Sequence, residues 1–290
     1  MTDLLDLDAP ILASKPAASP AEALARDRYR QEDAPIPAAW NDTLAVLLSH
    51  RSVRAFLPDA LPAGTLETLV SAASSASSSS NLQVWSVVAV EDRDRKARLA
   101  ALAGNQAHIV QAPLFLVWLV DLHRLAALAE ERGGRHEALS YLETFLLGAV
   151  DTSLAAQNAV VALESLGLGA VYIGGIRNHP NEVAAELGLP PRVFPLVGLA
   201  VGRPDPARPA SVKPRLPQSA VLFHEQYAWG DAQRDAVDGY NARLRRFQRE
   251  QGMVEQDWTH LVGNRTRDAA ALHGRDQLRT ILNGLGFELK

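Results

Sequence analysis

Residues 137–166 carry a helical pattern with no polar side, and this constrains the fold more than any other stretch. Leu142, Phe145, Leu146, Ala149, Leu154, Ala155, Val160, Val161 and Leu163 lie around its circumference, and Gly167 and Gly169 close it. A helix apolar on every face must be covered on every face, so it sits centrally or between subunits. A chain of 290 residues leaves little other mass to surround it. The expected cover is a second copy of the chain, making a homodimer.

Shorter elements alternate around this helix. Trp40 to His50 has Leu44, Leu47 and Leu48 at helical spacing, with Asn41 or Asp42 as cap. Further helices are expected over 65–76, over 94–103 where Gly104 closes the turn, and over 231–251 and 268–285. Strands are expected at 86–90, 114–120, 170–173 and 196–202. Leu114–Val120 is apolar at every position and reads as a strand covered on both faces. Strands separated by helices throughout give a layered mixture of the two. Residues 1–39 stand apart, because Pro at 10, 16, 20, 35 and 37 prevents a continuous helix there. They leave room for a short helix near Ala21–Arg30 and read as an arm that wraps a neighbour or stays mobile. The body is expected to run from 40 to 290, ending in a helical excursion from about 226.

Composition excludes several classes. A net charge of −4 gives no broad field to favour nucleic acid or an anionic membrane. The start, with Asp3, Asp6 and Asp8, lacks the basic-then-apolar order of a signal peptide, and no apolar run reaches the roughly 20 residues of a bilayer span. The absence of cysteine removes thiolate catalysis, thiolate metal sites and disulfides, and fits a reducing compartment. The expected location is the cytoplasm. The sequence has no phosphate-binding G-x-x-x-x-G-K-[ST] loop, no G-x-S-x-G elbow and no metal-type histidine spacing. Gly167-Leu168-Gly169 precedes a strand instead of following one, unlike a dinucleotide fingerprint.

Chemistry gathers in short segments. His50-Arg51-Ser52-Val53-Arg54 offers two guanidiniums, an imidazole and a hydroxyl, enough to surround one dianion. Alone, it is also what a solvated basic helix end looks like. Lys213-Pro214-Arg215 adds two cations on an extended dipeptide, since proline keeps its neighbour out of the helix. Gly174-Gly175, after the strand Ala170–Ile173, permits close backbone approach to a ligand, though a tight turn is the commoner use. Ser78, Ser79, Ser80, Asn81 and Gln83 supply small neutral donors and acceptors, with a flexible linker as the alternative. Gln106 follows the Gly104-Asn105 turn and suits the uracil-like edge of a flat ring. Arg54 suits negative charge gathering near N1 and C2=O of a reduced flavin.

Together these segments resemble the nitroreductase family, in particular its oxygen-insensitive NADPH nitroreductases and NADPH–flavin oxidoreductases. The resemblance rests on His50–Arg54, Ser77–Gln83, Gly104–His108, Tyr172–Arg177 and Lys213–Pro217 in that order, with Asp151–Ala159 and Glu164–Gly169 on the central helix. It runs from about Leu44 to the C-terminus. It implies an α+β fold, with a mixed sheet flanked by helices in an intertwined homodimer that holds FMN at its interface. By the same resemblance His50, Ser52, Lys213 and Arg215 would lie at or near the FMN phosphate, with Arg51 also among the cofactor-binding residues. Arg54 and Gln106 would lie at the pyrimidine end, and Tyr172, Ile173, Gly174 and Gly175 beside the ring. The serine segment would come largely from the partner. Arg177 would lie near the open flavin face, with Arg249 a candidate for the 2′-phosphate of NADPH. Glu255 and the lack of further arginines between Gly252 and Trp258 depart from that pattern and leave NADH open as donor.

The activity so implied is two-electron, ping-pong reduction of small-molecule acceptors such as nitroaromatics or quinones by NAD(P)H. The chemistry would sit on the cofactor, with no essential side-chain acid or base. A reductase that feeds reduced FMN to a partner and a non-enzymatic flavin-binding regulator are the alternatives.

Overall fold

The computed structural model describes residues 19–290; the acidic start and the prolines at 10 and 16 lie outside the described residues. A four-stranded sheet organises the molecule. Its strands are β1 (Trp85–Val90), β2 (Leu114–Asp121), β3 (Gly169–Ile173) and β4 (Val193–Gly202), in the order β1-β2-β4-β3. Every pairing between them is antiparallel. Parallel pairing enters at an isolated bridge, Ser52 to Ala170, which lays the chain before Val53 along the outer edge of β3.

Strand β2 is covered on both faces, as its unbroken apolar run requires. Phe115, Val117 and Leu119 face one cluster with Leu99, Ile109 and Ile176. Leu114, Leu116 and Trp118 face the other, against Leu69, Ala155, Ala159 and Leu163. β4 begins three residues earlier than expected and takes in Pro195, which sits opposite Leu119 where the register shifts between Trp118 and Leu119. A residue without an N–H fits a ladder at such an irregularity.

The helices before the central one are α1 (Pro20–Tyr29), α2 (Asp42–Ser49), α3 (Thr65–Ser74), α4 (Arg93–Leu102), α5 (Ala107–Gln111) and α6 (His123–Glu131). α1 forms because Ser19 and Glu22 make a reciprocal capping box around Pro20 at the first helical position. α7 (Leu142–Ser165) is shorter than its apolar stretch, since Glu137–Ser140 is a separate 3₁₀ turn and Tyr141 is extended. Toward the sheet it presents mostly small residues, among them Gly148, Thr152, Ala155, Ala156 and Ala159. A Cβ on Gly148 would stand 2.6 Å from Val120 Cγ1, so the helix lies directly on β2. α7 is long and apolar enough to cross a bilayer by length and composition alone, which corrects the expectation that no stretch is. Here its inward side is a core face.

After it come α8 (Pro180–Leu187), α9 (Asp231–Glu250), α10 (Trp258–Arg265) and α11 (Leu278–Gly284). The single helix expected over 268–285 is broken into two 3₁₀ turns and α11, because His273 and Gly274 adopt left-handed conformations.

Candidate active site

α2 ends at Ser49, and His50 turns the chain into an extended run. Val53 N–H donates to Ala170 O at 2.9 Å, and Leu57 N–H to Arg203 O at 2.9 Å. The run rides along β3 and the end of β4. Val53 and Phe56 are thereby buried while Ser52 and Arg54 stay exposed. Gly169 makes room, since a Cβ there would meet Val53 Cγ2 at 2.6 Å.

The Lys213–Arg215 loop comes to the same place. Pro214 is buried between its exposed neighbours, and its carbonyl accepts the Tyr240 hydroxyl at 3.0 Å. Burial pushes the Lys213 ammonium pKa down, and the charges of Arg54 and Arg215 push it further. Burial lowers His108 as well, again with help from Arg54. The two cationic segments read from the sequence therefore do meet, with His108 on α5 beside them. Among the described residues no carboxylate ion-pairs with Arg51, Arg54, Lys213 or Arg215, while His50 Nδ1 lies 2.7 Å from Glu164 Oε1 at the end of α7. His108 Nε2 is buried without a partner. A cluster of like charges that lower one another's proton affinity has the donor set of a site for a multiply charged anion. It fits the phosphate of FMN.

A second group lies past the end of β3, where Gly174–Arg177 forms a 3₁₀ turn. A Cβ on Gly175 would stand 2.4 Å from Ala103 O and 2.7 Å from Gln106 Nε2. Close approach is what this glycine serves, but the approach is to the backbone closing α4. The Gln106 amide already donates to that Ala103 carbonyl at 2.7 Å, so its carbonyl oxygen is the end left to read a ring edge. Gly175→Ala is expected to break the Gln106 bond and cost about 1–3 kcal/mol of stability by overpacking. Urea unfolding checks this: an unchanged midpoint would refute the contact. Tyr172 is partly exposed on β3, and burial, aided by Glu164, pushes its phenol pKa well up. Arg177 donates to Leu196 O, and its pKa is lowered first by burial and then by Arg275. Arg275, which the sequence reading passed over, donates to Asn178 Oδ1 at 3.0 Å and so stands beside Arg177.

The serine segment is rigid. Asp151 is 2% exposed on α7 and accepts Ser78 Oγ–H at 2.6 Å and Ser79 N–H at 3.1 Å. Ser78 Oγ in turn accepts Gln83 N–H at 2.8 Å. Ser80, Asn81 and Gln83 all have positive φ, at 49°, 55° and 50°. Non-glycine residues are held there only when the surroundings dictate it, and such strain gathers at ligand sites. No hydrogen bond joins this segment to the cationic cluster among the described residues. Within one chain they stay apart. Arg249 is held in a bidentate pair with Glu255, at 2.8 Å for both contacts.

The roles of Asp151, Glu164, His108 and Arg275 could not be found by residue type, because each follows from a partner far along the chain. Residues 47–203 match the nitroreductase family and residues 213–290 match the nitroreductase family C-terminal domain. The chain is 40% identical over 228 residues to the FMN reductase (NADPH) of Bacillus subtilis, covering 77% of this chain and 91% of that one. It is 42% identical over 185 residues to the oxygen-insensitive NADPH nitroreductase of Salmonella typhimurium, covering 64% and 74%. The solved NADPH:FMN oxidoreductase of Vibrio harveyi, complexed with NAD⁺, is 34% identical with a TM-score of 0.77 over 86% of this chain and 100% of that one. With both of its modules matched, the chain belongs to the nitroreductase family.

Proposed function

We propose that this protein is an FMN-dependent NAD(P)H oxidoreductase that reduces nitroaromatics, quinones or related small acceptors by two electrons at a time. The observation that carries the reading is the meeting of His50–Arg54 with Lys213–Arg215, in a cluster whose Arg51, Arg54, Lys213 and Arg215 ion-pair with no carboxylate among the described residues. Bound FMN supplies the redox chemistry, accepting hydride from NAD(P)H and passing two electrons on. The chain's own groups position and bias it. Lys213, Arg215, Ser52 and His50 hold the phosphate, with Glu164 holding the His50 ring by its Nδ1. Arg54 and the Gln106 carbonyl oxygen face the pyrimidine end. Tyr172 and the Gly174–Gly175 backbone line the ring. Arg177 with Arg275 forms a second positive spot suited to an anionic donor or acceptor.

The serine segment completes the site from the partner subunit of a homodimer. Support comes from α7, whose outward side leaves Leu142, Leu146, Val150 and Leu154 between 43% and 57% exposed in the single chain. The proposed setting is the cytoplasm, where NAD(P)H is available. The name of the Bacillus subtilis relative favours a second reading, a dedicated reductase of free FMN. Steady-state turnover with FMN, a nitrofuran and a quinone separates the two: comparable kcat/KM values support the broad enzyme.

The absorbance spectrum of the purified protein, followed by anaerobic titration with NADPH and with NADH, tests the proposal. A yellow protein bleached by either donor is expected. A colourless protein that takes up no added FMN overturns it.

Donor choice gives a further prediction. Arg249 spends its fork on Glu255, so NADPH must compete with an existing ion pair. Glu255→Gln should raise the NADPH-to-NADH ratio of kcat/KM by about 1.5- to 5-fold, the scale of one exposed charge contact. An unchanged ratio removes Arg249 from the 2′-phosphate site.

A further inference from the structure

Helix α1 lies outside the residues matched by the family, yet its side chains reach the centre of the cationic cluster. Arg28, near its end, is 7% exposed. Its Nη2 donates to Leu48 O at 2.9 Å and to His50 O at 2.6 Å, and its Nη1 to Lys213 O at 3.1 Å. The return contact is made by the backbone, with Arg215 N–H donating to Arg28 O at 3.0 Å.

The first acceptor, Leu48 O, is a carbonyl of the last turn of α2, where such groups lack partners within the helix and carry its negative dipole end, and His50 O follows just past that end. A guanidinium is well matched to them. Its rigid planar fork can reach three acceptors in two directions, which the single point of a lysine ammonium cannot do with the same geometry. The helix that carries it is itself pinned. Arg246 Nη2 donates to Arg30 O at 2.9 Å, and Arg30 pairs with Glu250 at 2.7 Å while lying 5.4 Å from the centre of the Phe247 ring.

We propose that α1 is a built-in part of the phosphate site and that Arg28 is its positioning residue. By holding Leu48, His50 and Lys213 on one side chain, it fixes the His50–Arg54 segment against the Lys213–Arg215 loop. The proposal rests on the FMN reading above and adds to it an element that precedes the matched region. Arg28 acts on the backbone that carries the phosphate ligands, so its loss should weaken recognition of the phosphate more than recognition of the ring. The position next to Arg215 adds a reason for the site to want an anion: burial and then the Arg215 charge both lower the pKa of Arg28.

The test compares FMN with riboflavin, which has the same ring and no phosphate. The full-length protein, stripped of flavin, is titrated with each while flavin fluorescence is followed, and Tm is recorded in parallel. The wild type should bind FMN more tightly than riboflavin. Arg28→Met should weaken FMN by about 10- to 30-fold, the range of one to two lost anchoring contacts, and riboflavin by less than about 3-fold. Arg28→Lys, which keeps the charge and loses the fork, should fall between and serves as the deciding variant if Arg28→Met does not fold. A wild type that discriminates, with variants that keep the same FMN-to-riboflavin ratio, overturns the role of Arg28 and leaves the FMN reading intact. A wild type that binds neither flavin, or binds both equally, overturns the phosphate reading and this proposal with it.

Discussion

The Lys213→Ala, Arg215→Ala double variant is expected to purify without flavin and to bind added FMN at least about 100-fold more weakly than the wild type. Both side chains are exposed, so each contact to a phosphate is taken at the low end of the charged hydrogen-bond range, about 1.5 kcal/mol. Two such losses give about two powers of ten. Riboflavin affinity should change little, because the substitution removes charge from the phosphate end alone. Flavin absorbance of the pure protein and a fluorescence titration read both quantities. Unchanged FMN affinity would separate the Lys213–Arg215 loop from the phosphate.

Asp151→Ala should cost the fold about 2–3 kcal/mol, because it strips the buried acceptor from two part-buried donors at once. Bonds to a charged acceptor contribute about 1.5–3 kcal/mol each, taken at the low end here because Ser79 is exposed and Ser78 half-buried. The three left-handed residues beyond Ser79 depend on this anchor, and the segment should relax when it goes. Asp151→Asn keeps one acceptor and should lose less. Urea unfolding gives the magnitude, and hydrogen exchange at Ser79 and Gln83 the location. A loss below about 1 kcal/mol would show the carboxylate to be dispensable.

What could be read in the sequence follows from how far apart the deciding contacts lie. β2 was legible because cover on both faces demands an apolar residue at each position, and α9 because its period is carried by its own residues. The break at His273 was not, because an ordinary residue in a left-handed conformation leaves no mark in composition. The cationic segments were legible as residue types, since phosphate chemistry restricts the choice to Arg, Lys, His and small donors. Arg28 was not, because in an arm rich in Pro and Ala it looks like any exposed arginine, and its acceptor at Lys213 is 185 positions away. Gly175 was read as a close approach. The approach is real, but it is made to Ala103 of the same chain. The sheet, expected to be mixed, is antiparallel throughout its four strands, and the parallel element is the bridge that carries Ser52.

That same bridge sets a timetable. One wall of the proposed phosphate cradle lies along β3, and the other is a loop from the last third of the polypeptide, so on that proposal neither grips an anion alone. Closing so long a loop is an entropic burden met late, after the sheet that receives both walls has formed. On the proposed assignment, flavin uptake waits until synthesis has passed Arg215, and a chain released before that point leaves the ribosome without a cradle to fill.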